Sequence, residues 1–342
     1  MKSLVLQEVG KPVVLIERPV PEPNSDELLV KVTVAGLNPH DREVRDNGLL
    51  LNGGGLPFVL GADTVGTVEK VGSAVTKFQV GDRVFGQVNL GKLDADQGAL
   101  QEYNILHQDS GAKVPERMTD DDAATLPTNI VAAYFQLFAD LNIPQPVSGL
   151  DQNFDYKSQK LVVIGAGTNC GKFEVQLASL AGIGTIVAVA AKRNEAELKG
   201  FGATHVVDRH ANDLEGEIRA IVGDDLIYAT DAVNQGQGHT LGVSILSNSK
   251  KGTLVTLVPG KADETKVGPK SAGWEEKYTE GLTLWNLAVG TPMWDHLPTW
   301  LEQGKIKPLK YSVIDGLDGD KVNEVLDAYR DGKPVMQPHV HP

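Results

Sequence analysis

The chain has 342 residues, 41% of them apolar, and a formal net charge of −13. That length predicts two domains with ample core, and the acidity argues against nucleic acid or an anionic membrane as the main partner. No run of about 18 apolar residues occurs, so no membrane span is expected. The single cysteine, Cys170, excludes an internal disulfide and a multi-cysteine zinc site, which points to a reducing, cytoplasmic setting.

Met1–Leu6 alternates like a strand and lacks the apolar stretch and cleavage site of a signal peptide. Leu28–Ala35 and Thr64–Val71 show β-branched alternation, punctuated by Pro19, Pro21, Pro23, Gly53–Gly55 and Gly72. Val80–Gly86 is a turn leading into another strand. Residues 1–125 therefore read as a mainly β module without helices of consequence. At Thr119 the pattern changes: a capping hydroxyl is followed by Asp120, Asp121 and Asp122 in a first helical turn. Ala123–Leu141 continues as helix, interrupted at Pro127, and Pro144–Ser158 is a polar connection.

Leu161–Ile164 is a short apolar run suited to a strand buried on both faces. Gly165, Gly167 and Gly171 follow it. Phe173, Leu177, Leu180 and Ala181 then form a helical face that stops at Gly182. Strand, glycine turn and helix make a dinucleotide fingerprint, one residue longer than G-x-G-x-x-G. Glycines let the backbone approach a pyrophosphate, and the helix N-terminus favours its charge. The predicted phosphate turn is Gly165, Gly167, Thr168, Asn169, Cys170 and Gly171, although Cys170 also reads as a residue packed at the helix start.

Strand and helix then alternate through Thr185–Ala191, Glu195–Phe201, His205–Val207, Leu214–Val222, Leu226–Val233, Gly238–Ser247 and Thr253–Val258. With Leu161–Ile164 these supply five short strands, hence a doubly wound parallel sheet of the Rossmann type, with ligand at the carboxyl ends. An NAD site places an acid about 20 residues past the glycines. Here Lys192 lies 21 positions after Gly171, Arg193 follows it, and no acid comes before Glu195 in that stretch. The cationic pair suits a 2′-phosphate and so NADPH; the alternative is that it merely opens the next helix in solvent. Beyond residue 270, Gly281–Leu287 reads as a strand, Pro298–Gln303 as a helix end and Val322–Tyr329 as a last amphipathic helix. This tail is expected to return to the first domain. Gln337–Pro342 reads as a frayed end in which His339 and His341 are incidental. Trp274, Trp285 and Trp294 suit either an apolar pocket or core anchors.

Five stretches taken together carry a family likeness: Gly36–Asp41, Leu60–Gly66, Val80–Gly86, Gly98–Tyr103 and Gly165–Gly171. Over nearly its whole length the chain resembles the medium-chain dehydrogenase/reductase superfamily. It looks like the zinc-independent, quinone-oxidoreductase-like branch, which includes enoyl reductases of polyketide pathways and NADPH-dependent aldehyde reductases. The resemblance implies a GroES-like catalytic domain over 1–125, a Rossmann NADPH-binding domain over 126–280 and a return to the catalytic domain over 281–342, in a monomer or homodimer.

Zinc members place a cysteine at the Asn38 position and a His-Glu pair at Ala62-Asp63. Neither Asn38 nor Ala62 is a good zinc ligand, and the four-cysteine lobe is missing, so no metal is expected. By resemblance Asn38 stands beside the nicotinamide, hydrogen-bonding its ribose or the substrate oxygen; otherwise it caps the turn before Pro39. His40 is a candidate proton donor because imidazole titrates near neutrality, or a structural residue. Asp41 is expected to bind backbone, and Asp63 to lie on the active-site wall or at a strand-end turn. The tyrosine donor of enoyl-thioester reductases has no counterpart in Arg42–Leu50. Relatives often carry serine at the Ala191 position and tyrosine at the Arg209 position, so Arg209 is a candidate to complete the phosphate site. Val233 with Asn234, Val258 with Pro259, and Leu284–Leu287 with Trp285 are expected to line the nicotinamide and substrate pocket. The expected function is metal-independent, NADPH-dependent hydride transfer to aldehydes or to the C=C of α,β-unsaturated carbonyls. The alternatives are a trans-acting enoyl reductase that docks on a synthase and reduces a carrier-bound acyl chain, and a non-catalytic NADPH-binding protein.

Overall fold

The computed structural model describes residues 1–51, 55–91, 95–147 and 151–342. Gly53 and Gly54 of the predicted turn and residues 148–150 of the predicted connection lie outside these. In chain order the first elements are β1 (Lys2–Leu6), β2 (Val14–Glu17), β3 (Glu27–Gly36), α1 (Pro39–Asn47), β4 (Phe58–Val59), β5 (Asp63–Val71), β6 (Arg83–Gln87), β7 (Tyr103–His107) and β8 (Gly111–Lys113). Then come α2 (Asp120–Ala124), α3 (Pro127–Phe135), β9 (Lys160–Ile164), α4 (Asn169–Ala181), β10 (Thr185–Ala190), α5 (Glu195–Gly200), β11 (His205–Asp208) and α6 (Leu214–Val222). The remainder is β12 (Tyr228–Asp231), α7 (Thr240–Ser244), β13 (Gly252–Thr256), β14 (Trp274–Tyr278), α8 (Leu287–Glu302), β15 (Tyr311–Asp315), α9 (Gly319–Arg330) and β16 (Gln337–His341). Among the described residues no helix is long and apolar enough to cross a membrane.

Two compact units result: Met1–Thr128 with Leu282–Glu302 and Pro308–Pro342, and Asn129–Gly281 with Gln303–Lys307. In the first, a 7-stranded sheet runs β15-β16-β3-β5-β6-β8 with β7 also on β3, beside a 3-stranded sheet β2-β1-β4. Leu4, Leu6, Leu37, Val59, Leu60 and Leu100 pack with Val322 and Leu326, which lie four apart on one face of α9.

Three expectations are corrected here. The first module is not helix-poor at its centre, because Arg42–Asn47 belongs to α1. Asn38 is its N-cap, Pro39 its first residue, Asp41 bonds back to the Asn38 N–H, and Gly48 closes it at φ 67°. Pro39 starts a helix where it was read as a turn. Gly281–Leu287 is not a strand: Thr283–Trp285 is a single 3-10 turn and α8 begins at Leu287. The Thr283 N–H donates to the Gln87 side chain (3.1 Å) and the Trp294 indole donates to Thr283 Oγ1 (3.0 Å), so tertiary bonds override the apolar run. The tail is not frayed. β16 runs parallel to β15 and antiparallel to β3, with His339 opposite Gly36 and Val340 opposite Ala35. His339 Nδ1 and His341 Nε2 lie 2.9 and 3.0 Å from Asp121 Oδ1.

In the second unit the sheet is 6-stranded, all parallel, in the order β11-β10-β9-β12-β13-β14. This is the doubly wound order 3-2-1-4-5-6. Val162, Ile164, Val187, Val189 and Leu254 fill its core. Five of the strands stand where the apolar runs put them. The sixth, β14, reads Trp-Glu-Glu-Lys-Tyr; as a half-exposed edge strand it carries no buried run for the sequence to reveal.

Candidate functional site

The second unit carries the glycine turn. β9 ends at Ile164, and Gly165 turns the chain at φ +81°. The Gly165 and Ala166 N–H groups both donate to the Val189 carbonyl, at 3.2 and 3.1 Å. Thr168 then caps α4: its hydroxyl oxygen accepts the Gly171 N–H at 3.1 Å and donates to the Gly165 carbonyl at 2.9 Å. A Cβ at Gly171 would fall 2.5 Å from the Gly165 oxygen, one at Gly165 2.7 Å from Val233 Cγ1, and one at Gly167 2.3 Å from Asn194 Nδ2. Backbone approach demands glycine at 171 and the positive φ demands it at 165, whereas at 167 the neighbour is the movable tip of the Asn194 side chain. Asn169 and Cys170 open α4, with Cys170 Sγ 3.4 Å from Asn129 Oδ1. Lys172, paired with Glu197 at 2.9 Å, ties α4 to α5.

Lys192 and Arg193 follow β10 in an exposed 3-10 turn. Among the described residues neither side chain has an ion-pair partner. The Arg209 N–H donates to the Ala190 carbonyl at 2.9 Å, and Ala190 is paired with Asp208. Arg209 therefore stands at the same carboxyl edge, its Nε donating to His210 Nε2 at 3.1 Å. Three cations share this edge, and Thr185–Asn194 contains no acid.

Past β12, the N–H groups of Val233 and Asn234 donate to Asp231 Oδ1 at 3.1 and 3.0 Å. Past β13, the Val258 carbonyl faces the ring of His239, and Pro259 accepts from the Gly236 N–H at 3.4 Å. Between α4 and β12 lies a buried acid absent from the sequence-based candidates. Glu174 on α4 accepts the Thr230 hydroxyl at Oε2, while its Oε1 has no hydrogen-bond partner among the described residues. Burial raises its pKa from 4.5 to about 8; the Thr230 bond opposes this and the Asp231 charge adds to it. In sequence it is only a helical glutamate; that it faces inward shows in the fold alone.

The first unit holds a polar cluster at the β3–α1 junction. Asn38 Nδ2 donates to Asp63 Oδ2 at 2.7 Å, and Gln337 Nε2 donates to the same oxygen at 3.2 Å. The Thr128 N–H takes Asp63 Oδ1 at 2.7 Å. Asp63 is fully buried, and burial raises its pKa from 3.8 to about 6 against the pull of Thr128, Asn38 and His40. Asp41 accepts the Asn38 N–H (2.7 Å) and the Gly61 N–H (2.8 Å). His40 Nε2 is buried without a hydrogen-bond partner among the described residues, 3.6 Å from Asp41 Oδ1. Tyr329, on α9, also belongs here: burial and the Asp41 and Asp63 carboxylates push its phenol upward. It lies 288 and 266 positions beyond them in the sequence, which hid it. Among the described residues no group of three or more His, Cys, Asp or Glu is placed to hold a metal.

Of the tryptophans, Trp294 is a core anchor edge-on to Phe85 at 5.7 Å, and Trp274 lies on the β14 edge. Trp285 is 53% exposed and, with Gln87–Gly91 and Leu282–Leu284, lines a small pocket.

Residues 24–116 match the alcohol dehydrogenase GroES-like domain family. With the 3-2-1-4-5-6 sheet of the second unit, this completes a fold shared with alcohol dehydrogenase-like proteins, and the dehydrogenase and enoyl reductase relatives named next support an oxidoreductase. It is similar to the dehydrogenase orsE of Emericella nidulans, 26% identical over 343 residues that cover 96% of this chain and 95% of that one. It is also similar to the trans-enoyl reductase himH of Aspergillus japonicus, 28% identical over 319 residues that cover 90% and 86%. An alcohol dehydrogenase superfamily protein from Novosphingobium aromaticivorans shares the fold at a TM-score of 0.82 and 22% identity, covering 100% of this chain and 99% of that one.

Proposed function

We propose that the chain is a metal-independent, NADPH-dependent reductase acting on aldehydes or on the C=C of α,β-unsaturated carbonyls. The observation that carries this reading is the cationic edge of Lys192, Arg193 and Arg209 beside the glycine turn, with no acid in Thr185–Asn194 to bind a ribose 2′-hydroxyl. These residues fit a 2′-phosphate, and the α4 N-terminus with its glycine turn fits a pyrophosphate. NADPH, when bound, supplies a hydride for an electron-poor carbon.

The donor set at Asn38, Ala62 and Asp63 does not fit zinc. Asn38 uses its amide nitrogen as a donor, Ala62 has no ligand atom, and both Asp63 oxygens are occupied by N–H donors. In this reading Asp63 holds the Asn38 carboxamide, and that carboxamide meets negative charge developing on the substrate oxygen. His40 or solvent returns the proton. The likeness to a protein named trans-enoyl reductase favours a second reading, in which the acyl substrate is carried by a synthase partner.

The test is loss of NADPH absorbance with aldehydes, enones, a quinone and an enoyl thioester, each repeated with NADH and with EDTA. Turnover with NADPH, indifferent to EDTA, is the expected result, and the substrate that turns over names the bond reduced. Turnover that requires NADH or is abolished by EDTA overturns the proposal. Tight NADPH binding without any turnover favours the carrier-bound substrate or a non-catalytic role.

A further inference from the structure

His239 is fully buried, yet it sits in the connection between β12 and α7. Its Nδ1 lies 3.1 Å from Asp231 Oδ2 and its Nε2 lies 3.1 Å from the Val258 carbonyl oxygen. Both partners are acceptors. Asp231, itself fully buried at the end of β12, already takes the N–H groups of Val233 and Asn234 on Oδ1 and the Asn234 amide on Oδ2 at 2.8 Å. The ring sets one nitrogen against each acceptor, on opposite sides. No amide side chain can do so, because its N–H groups leave from a single atom.

Two loops are joined by this ring: the one after β12, which carries Val233, and the one after β13, which carries Val258. They also meet at Gly236 and Gly260, where a Cβ on Gly260 would fall 2.4 Å from the Gly236 nitrogen. Val233 in turn covers Gly165, so the glycine turn, Val233, Asp231, His239 and Val258 form one continuous chain of contacts. A polar ring in an apolar interior gives up hydration that a leucine would not have to lose; what it provides in return is a defined spacing between the groups it joins.

We propose that His239 is a positioning residue that sets the spacing of the Val233 and Val258 loops and thereby holds the nicotinamide half of the dinucleotide, while leaving the adenosine half untouched. The inference rests on the dinucleotide reading above. Hydride transfer is sensitive to small misplacements of the reacting atoms, so the spacing bears on kcat as well as on affinity.

The test uses the full chain with His239→Gln and His239→Leu. Four quantities are compared with wild type: the Kd of NADPH, the Kd of adenosine 2′,5′-bisphosphate, kcat, and amide exchange over residues 232–238 and 257–262. Expected is a loss of NADPH affinity of about tenfold or more, roughly 1.4 kcal/mol. Binding of the bisphosphate should stay within about twofold, kcat should fall, and exchange in both loops should quicken; Gln should not rescue. Equal weakening of both ligands, or unchanged exchange in the two loops, overturns the proposal. Should wild type bind neither ligand, the dinucleotide reading fails, and unchanged loop exchange in the variants still decides against His239 setting the loop spacing. If the His239 variants do not fold, Asn234→Ala, which removes one donor to Asp231, should show the same asymmetry between the two ligands in smaller measure. Its absence there counts against the proposal equally.

Discussion

Glu174 makes the stability of the second unit depend on pH in an unusual direction. Its carboxyl is buried against Thr230, one oxygen has no partner among the described residues, and its pKa is raised from 4.5 to about 8. Between those values the unfolded chain has released this proton and the folded chain still holds it. The unfolded state then binds fewer protons, so the contribution of this group to stability falls as pH rises through that window and levels off above it. Each pKa unit corresponds to about 1.4 kcal/mol, so the full shift corresponds to roughly 5 kcal/mol. Allowing half for relaxation around the carboxyl leaves about 2 kcal/mol, or about 4–8 °C in Tm for a unit of this size. Glu174→Gln keeps an acceptor for the Thr230 hydroxyl and abolishes the titration. Melting curves of both proteins from pH 5 to pH 8 should therefore diverge, with the variant gaining on the wild type as pH rises. Two curves that stay parallel across the window would refute the reasoning.

Replacing both Lys192 and Arg193 by Ala removes two candidate phosphate contacts, each worth about 1.5 kcal/mol or more. NADPH titrations should show about 100-fold weaker binding, and NADH titrations little change; equal weakening would falsify the 2′-phosphate assignment. Gly171→Ala places a methyl group 2.5 Å from the Gly165 oxygen. It should lower Tm and abolish dinucleotide binding, both readable in one thermal-shift titration with NADPH. Asp63, raised to about 6, accepts from Asn38, Gln337 and Thr128 only while its oxygens stay free of a proton. Turnover should therefore decline below about pH 6, with a flatter acid limb and a kcat lower by about tenfold or more in Asp63→Asn; an unchanged pH profile in the variant would remove Asp63 from the machinery.

The sequence exposes the parts of this molecule whose physics is local. Leu161–Ile164, the three glycines, the Thr119 cap and the Gly182 stop each depend on neighbours within a turn or two, and they stand where local rules put them. Asn38 and Asp63 were legible as candidates through family resemblance, yet the hydrogen bond between them was not, since 25 positions separate them. Gln337, Tyr329 and Glu174 were invisible as members of polar clusters for the same reason: which way each faces is set by packing of distant strands and helices. Pro39 and the Gly281–Leu287 run misled in the opposite sense. A proline can begin a helix as well as break one, and a short run rich in apolar residues does not outweigh a glutamine and a tryptophan that capture the same segment.

The place of β16 bears on how the chain comes off the ribosome. The second unit is built almost wholly from one continuous stretch, Asn129–Gly281, whereas the first is built from three pieces and needs Pro308–Pro342 to complete its sheet. Until that last piece is made, β3 has no partner for Ala35 and Gly36 on the side that β16 will take. Unit two can therefore finish folding during synthesis while unit one waits with a bare strand edge, open to mispairing with other nascent chains.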